Sequence, residues 1–230
     1  MTLVTAQMTI SLDGFYAGPR TDSADWATSP EATGFFRITR WILGAMSWRE
    51  RLGFEGGERN VDSDLVEESF EAAGAYVMGR RMADGGEVPW GEEPPFRAPV
   101  FVVTNRERET LHRKGGTSFT YVTDGLEAAV ERARAAAGDK NVAIAGGGSL
   151  LGQVIAAGLL DVLDLHIVPV LMGDGMRLFD PSVLGLGVDE GLELVPTRVV
   201  EGDGVTHVRY EIEGRSPLVV SDERLAAAEA

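Results

Sequence analysis

With 230 residues, 44% of them hydrophobic, the chain is long enough to bury the core of one large domain. Its 36 acidic residues against 21 basic ones give a formal charge of −15 at pH 7. A field of that sign repels nucleic-acid phosphates and anionic lipid surfaces, so neither is expected as a partner. The absence of cysteine excludes disulfides, thiol nucleophiles and thiolate-bound zinc. His112, His166 and His207 lie far apart in the chain, and no metal site is expected from them.

The segment TLVTAQMTIS, residues 2–11, is β-branched and alternating and reads as a first strand. It has no basic leader, and no apolar run reaches the roughly 18 residues of a membrane span, so a cytoplasmic protein is expected. LDGFYAGPR then reads as a turn. Within residues 21–62, Phe35, Ile38, Ile42 and Ala45 recur at helical spacing, with Trp41 and Trp48 nearby, and suggest one amphipathic helix. VDSDLVEESFEAAG reads as a helix with Asp62 or Ser63 near its start, Leu65, Phe70 and Ala73 buried, and Gly74 as its stop.

AYVMG is a short strand, and GRRMADGGEVPWGEEPPFR reads as a long loop. APVFVVTN and SFTYVT are strands. DGLEAAVERARAAAG is a helix with Asp124 as N-cap and Gly138 as stop. NVAIA is a buried strand and SLLGQVIAAG a helix. VLDLHIVPVLMG is a long strand with Pro169 at an edge or bulge. LELVPTRVV and GVTHVRYEIE form a closing hairpin around Gly-Asp-Gly. Strands alternating with helices, then a hairpin, imply an α/β sandwich on a largely parallel sheet with an antiparallel end. A single domain over 1–214 is expected, with an insertion at about 20–62 and a tail at 215–230.

Three junctions carry chemistry. Gly146, Gly147 and Gly148 follow a strand and open a helix. Glycine lets backbone N–H groups meet an anion closely, and a helix N-terminus offers unpaired donors and a positive dipole end. The pattern is neither GxGxxG, since residue 151 is Leu, nor a P-loop, since no lysine follows. Taken alone it is equally a phosphate seat or a tight corner. Gly79, Arg80 and Arg81 form a second strand-end junction, and arginine forks suit phosphate oxygens. The third, TNRERETLHRK, is an island of net +2, read either as a cofactor contact or as a solvated charged loop.

The order SLDGFYAG, YVMGRR, VFVVTNR, VAIAGGGSLLGQVI and LHIVPVLMGDGMRLFD resembles the dihydrofolate reductase-like superfamily. It is most similar to the C-terminal reductase domain of the bacterial riboflavin-biosynthesis deaminase–reductase, and the resemblance covers residues 2–180 with a gap at the 20–62 insertion. It implies a three-layer α/β/α sandwich and NADPH bound across the carboxyl ends of the strands. Gly146, Gly147, Gly148, Ser149, Leu150 and Leu151 would then cradle the pyrophosphate. Gly79, Arg80 and Arg81 would meet phosphates on the adenosine side. Thr104, Asn105 and Arg106 would lie near the ribose 2′-phosphate. Thr9, Ser11, Asp13 and Tyr16 would line the nicotinamide end. Met82 stands where the family often has Thr, which removes one hydroxyl contact.

Reduction of a carbonyl or imine needs a proton besides the hydride. Asp13, on the loop after the first strand, and Asp64, near the start of a helix, are the candidate acids. Each is also readable as a turn or dipole residue. His166 reads as a packed or edge-exposed strand residue. Arg177, Arg37, Arg40, Arg49 and Arg51 are candidates for a substrate phosphate. The expected function is a stand-alone NADPH-dependent reductase of the riboflavin type, acting on a small molecule as a homodimer. The alternatives are dihydrofolate reductase activity and NADPH binding without turnover.

Overall fold

Alternating burial along β1 (Val4–Ser11) sends Val4, Ala6 and Ile10 into one apolar layer and Thr5, Gln7 and Thr9 to the opposite side. The computed structural model that shows this describes residues 2–20, 29–186 and 190–217. The remaining strands are β2 (Phe15–Ala17), β3 (Ala73–Gly79), β4 (Pro99–Val103), β5 (Leu111–His112), β6 (Ser118–Val122), β7 (Asn141–Gly146), β8 (Val162–Val168), β9 (Met176–Arg177), β10 (Glu190–Glu201) and β11 (Thr206–Pro217). The helices are α1 (Pro30–Ile38), α2 (Arg40–Gly44), α3 (Met46–Arg51), α4 (Val61–Ala72), α5 (Arg80–Trp90), α6 (Leu126–Ala137), α7 (Gly148–Ala156) and α8 (Pro181–Leu184).

Nine strands form one sheet in the order β10-β11-β8-β1-β7-β3-β4-β6-β5. The run from β8 to β6 is parallel, and antiparallel pairs close both ends. Leu126, Val130 and Ala133 of α6 and Leu151, Val154 and Ile155 of α7 cover one face. Helices α1 to α5 cover the other through Ile38, Trp41, Val66 and Ala83. The α/β/α sandwich is therefore the architecture, with an antiparallel C-terminal hairpin.

Several local readings are corrected. Residues 80–90, expected as loop, form α5, although Gly85, Gly86 and Pro89 disfavour a helix locally. Packing overrides propensity here: a Cβ on Gly86 would sit 2.2 Å from the Trp90 ring, and Trp90 in turn packs edge-on to Phe96 at 4.9 Å. The single helix expected around residues 35–45 is three short ones, broken at Thr39 and Ala45. The Thr39 hydroxyl bonds back to the Phe35 carbonyl, and Ala45 is extended and bridges to Glu58. Ile38, Trp41 and Ala45 are buried, whereas Phe35 is exposed. Residues 21–28 lie outside the described residues.

Helix α4 is capped by Asn60, whose side chain accepts the Ser63 amide, so Asp62 and Ser63 are already inside it. Gly74 is not its stop but a β3 residue, where a Cβ would meet the Ala137 carbonyl at 2.4 Å. Gly125, not Asp124, occupies the N-cap of α6, and Asp124 pairs with Arg132 instead. Gly138 ends that helix at φ 65°, a conformation that suits glycine. Strand β8 stops at Val168, so Pro169 terminates it rather than bulging it. Strand β5 had no signal beyond two residues. Strand β11 runs to Pro217, three residues into the expected tail, and residues 218–230 lie outside the described ones.

Candidate cofactor cleft and buried histidine pair

The parallel strands all end on one edge, at Ser11, Gly79, Val103, Val122, Gly146 and Val168. At its middle, β3 and β7 are neighbours, with Met78 opposite Gly146. Helix α5 leaves β3 toward the α4 face, and α7 leaves β7 toward the α6 face. Elements diverging from adjacent strand ends open a crevice at the carboxyl edge, the usual ligand position in such sheets. Two helix N-termini, at Gly79–Arg80 and Gly147–Gly148, line it. Neither N-cap residue is filled: a Cβ on Gly79 or Gly147 would point into open space. Gly146 holds φ 116°, which an L side chain rarely adopts, and Met82 sulfur lies 3.3 Å from where its Cβ would be.

The residues nominated from sequence divide here. Gly79, Arg80, Arg81, Gly146, Gly147, Gly148 and Ser149 do gather at the crevice. Leu150 and Leu151 do not offer their groups to it. Their side chains are buried in the core, and both of their amides donate to the Gly147 carbonyl, at 3.0 and 3.1 Å. The helix is tight at its first turn, so the donors left are those of Gly148 and Ser149. Tyr16, expected at the nicotinamide end, lies instead on Gly148: a Cβ there would be 2.4 Å from a Tyr16 ring carbon. Burial and the nearby Glu31 charge raise the phenol's pKa.

Arg80 chelates Asp84 through Nε at 2.7 and 2.8 Å and lies 5.0 Å over the Tyr121 ring. Its Nη1 is a buried donor with no partner among the described residues. Arg81 pairs with Glu31 of α1 at 2.5 Å. The basic island is neutralised from α5 and the loop after it: Arg108 pairs with Glu87, and Arg113 with Glu87 and Glu92. Thr104 accepts the Arg106 amide at 3.1 Å and so shapes the turn after β4. Asn105 and Arg106 project from it into solvent, and Arg106 has no acidic partner among the described residues.

Neither nominated acid is built as a proton donor. The Asp13 carboxylate accepts the Ser11 hydroxyl at 2.6 Å and the amides of Met172 and Gly173 at 3.0 and 2.7 Å. These bonds, the Ser11 one first, hold its pKa down to about 2, so it is a carboxylate that ties the β1–β2 turn to the loop after β8. Ser11 is fully buried and committed to Asp13 and to the Phe15 amide, so it lines no open site. Asp64 lies on the exposed side of α4's first turn. Of the arginines considered for a substrate phosphate, Arg49 is bound to the Glu55 carbonyl, Arg51 to the Pro95 carbonyl and Arg177 to the Asp13 carbonyl. Arg177 also stacks 4.5 Å over Phe15.

The buried acid is Asp62, two residues earlier, 1% exposed. It bonds to His207 Nε2 at 3.0 Å, and His207 Nδ1 meets His166 Nδ1 at 2.7 Å. The register that pairs Thr9 with His166 and His166 with His207 sets these side chains in one row across β1, β8 and β11. Trp41 closes the row, 4.5 Å from the His166 ring and 5.0 Å from that of His207, with its indole N–H on Thr9 Oγ1 at 3.2 Å. Thr9 is thus covered by the insertion. With Asp62 accepting from His207 Nε2–H, the two Nδ1 atoms share one proton between them. His166 Nε2 is buried without a partner among the described residues. Burial, then His207, then Arg209 push the His166 pKa down to about 3, so the imidazole stays neutral. His166 was read from sequence as a packed or edge-exposed strand residue; its partners His207 and Trp41, far from it in the chain, had no local signal. Below the row, Arg209 forms a two-pronged pair with Asp164.

A family model described as the RibD C-terminal domain matches residues 2–200. Among solved structures, a protein assigned to riboflavin biosynthesis from Shewanella sp. PV-4 is 20% identical with a TM-score of 0.64, over 92% of this chain and 99% of that one. A pyrimidine reductase-like protein from Corynebacterium diphtheriae is 13% identical, TM-score 0.52, over 92% of each chain. The diaminohydroxyphosphoribosylaminopyrimidine deaminase/5-amino-6-(5-phosphoribosylamino)uracil reductase of Thermotoga maritima is 15% identical, TM-score 0.52, over 92% of this chain and 56% of that one. At these identities the likeness is one of fold. A comparison with curated proteins finds no match.

Proposed function

Since the chain belongs to the RibD C-terminal domain family, a family of reductase domains, we propose that it is an NADPH-dependent reductase acting on a small carbonyl or imine compound of the riboflavin-pathway type. The observation that carries this is the pair of glycine-led helix N-termini side by side at the ends of β3 and β7. Two positive dipole ends lie side by side where a dinucleotide pyrophosphate is best held, with Arg80 and Arg81 opening α5 beside them. The unpartnered Arg80 Nη1 is a donor that an anion would satisfy.

On this reading Gly147, Gly148 and Ser149 hold the pyrophosphate, and Arg106, without an acidic partner among the described residues, meets the 2′-phosphate. The reduced nicotinamide supplies the hydride. The protein's own groups orient the cofactor, and the Thr9–Trp41 end shields the reacting face from water. Neither Asp13 nor Asp64 serves as the acid, for the reasons of hydrogen bonding and placement given above. We carry the homodimer as part of the proposal; a solution mass of one 24.7 kDa chain would remove it.

Titration with NADPH and NADH in parallel is the test, on wild type and Arg106→Ala. The expected outcome is preference for NADPH in wild type, and loss of that preference with NADH binding unchanged in the variant. No binding of either nucleotide to wild type would withdraw the reading.

A further inference from the structure

The crevice is not open to an incoming phosphate at both of its seats. The Tyr16 ring lies against the Gly148 backbone at the N-terminus of α7, 2.4 Å from where a Gly148 Cβ would be. Arg81, at the start of α5, is taken by the carboxylate of Glu31. Both occupying groups come from the same part of the chain. Tyr16 is in β2, and Glu31 is in the first turn of α1, the first described helix of the 20–62 insertion.

These two elements are fastened to each other. Gly18, one residue after β2, donates its amide to the Glu31 carbonyl at 3.1 Å. A Cβ on Gly18 would meet the Pro30 carbonyl oxygen at 1.9 Å, and one on Gly34 would meet the Gly18 nitrogen at 2.2 Å. Two backbones approach this closely only because both residues are glycine. The Glu31 side chain is 9% exposed, whereas its partner Arg81 is 48% exposed. A carboxylate so placed has lost most of its water. Its Oε2 on the Arg81 Nη2 stands in chemically for the oxygen of an anionic ligand.

We propose that Tyr16 and Glu31 form a latch over the cofactor seat, which dinucleotide phosphates open by replacing the carboxylate on Arg81 and moving the Tyr16 ring off the Gly148 backbone. The inference rests on the cofactor reading above and extends it to the role of the insertion. Only Thr39 separates α1 from α2, and α2 carries Trp41 over Thr9 and the histidine pair. Displacement of Glu31 therefore loosens the helix pair that covers the inner end of the cleft. Cofactor binds first, and substrate reaches the Thr9 end second.

The test uses the full chain, with NADPH and inorganic pyrophosphate as probes, on wild type, Glu31→Gln and Glu31→Asp. Binding is measured by calorimetry, and the α1 amides of residues 33–38 are followed by hydrogen exchange. Removing a competing charge-assisted bond is expected to tighten both probes about tenfold in Glu31→Gln. Glu31→Asp keeps the charge at the helix start but shortens its reach, and is expected to change in the same direction. It serves as the second variant should the first fold poorly. In wild type, saturating NADPH is expected to speed α1 exchange; in Glu31→Gln exchange is already fast and NADPH adds nothing. Equal or weaker binding of both probes in the variants, or slower α1 exchange on NADPH binding, would overturn the latch while leaving the cofactor reading intact. If pyrophosphate shows the tenfold gain and NADPH does not bind at all, the latch stands and the cofactor reading falls. If no probe binds any of the three proteins, both fall.

Discussion

The buried imidazole of His166 ties stability to pH in a way that can be worked out from its surroundings. In the unfolded chain it takes up a proton near pH 6.5; in the fold, burial, His207 and Arg209 lower that to about 3. Between these values the unfolded state binds a proton that the native state does not. Stability therefore rises with pH across this window, is fully present above about 6.5, and is lost as pH falls. From pH 6.5 to pH 5 the loss amounts to roughly 2 kcal/mol, since each unit of pKa difference is worth about 1.4 kcal/mol. The charged groups around the ring are Asp62 and Glu68 on α4, Asp164 on β8, Arg198 on β10 and Arg209 on β11, with Arg209 opposing protonation directly. The assay is urea unfolding of wild type and His166→Phe at pH 7 and pH 5. Wild type is expected to lose about 2 kcal/mol more than the variant between the two conditions. His166→Gln, neutral and polar, should show the same flattening even if its absolute stability differs. An equal pH 7 to pH 5 difference in wild type and both variants would refute the burial argument.

Three further outcomes follow from single contacts. Asp13→Asn removes a carboxylate held at a pKa of about 2 against an ordinary 3.8. Its contribution is present above about pH 4 and lost as pH falls toward 2, so thermal melts of the variant should flatten over that acid range and match wild-type slope above it. Gly74→Val forces a side chain against the Ala137 carbonyl, 2.4 Å from the position of the new Cβ. The Ala137 backbone leaves little room to yield, and a loss of about 1–3 kcal/mol is expected by urea unfolding. Leu151→Ala empties a site 1% exposed between α7 and the sheet, with an expected loss of about 2–5 kcal/mol in the same assay.

Where the chain's own periodicity was strong, the sequence sufficed to place an element. Strands β1, β4, β6 and β7 carry β-branched runs, and α6 has an apolar stripe at Leu126, Ala129, Val130 and Ala133 with Gly138 to end it. Helix α5 failed the same reasoning because its glycines are spatial, not local, in purpose. Gly86 is small so that Trp90 can fold back over it, and Trp90 is held by Phe96 and Phe119 from elsewhere in the chain. A propensity scale sees the cost of glycine and not the ring that repays it. The short strand β5 and the breaks at Thr39 and Ala45 were missed for the related reason that two or three residues carry no period.

The cleft was legible to the extent that it is built from backbone. Glycines after strands and the helices that follow them are a sequential pattern, so Gly79 and Gly146 to Gly148 could be read directly. What side chains do there was not legible, because each is decided by a partner far away: Arg81 by Glu31, Arg108 by Glu87, Asp13 by the amides of Met172 and Gly173. Asp62 shows the limit most sharply. Two helical positions, at about 100° each, turn Asp62 and Asp64 about 200° apart, so within the same turn they face opposite surroundings, one against His207 and one toward water. Composition and motif order place an acid at the start of α4; only the register of β8 against β11, which brings His166 opposite His207, decides which carboxylate is buried and leaves it bound to an imidazole rather than aimed at the cleft.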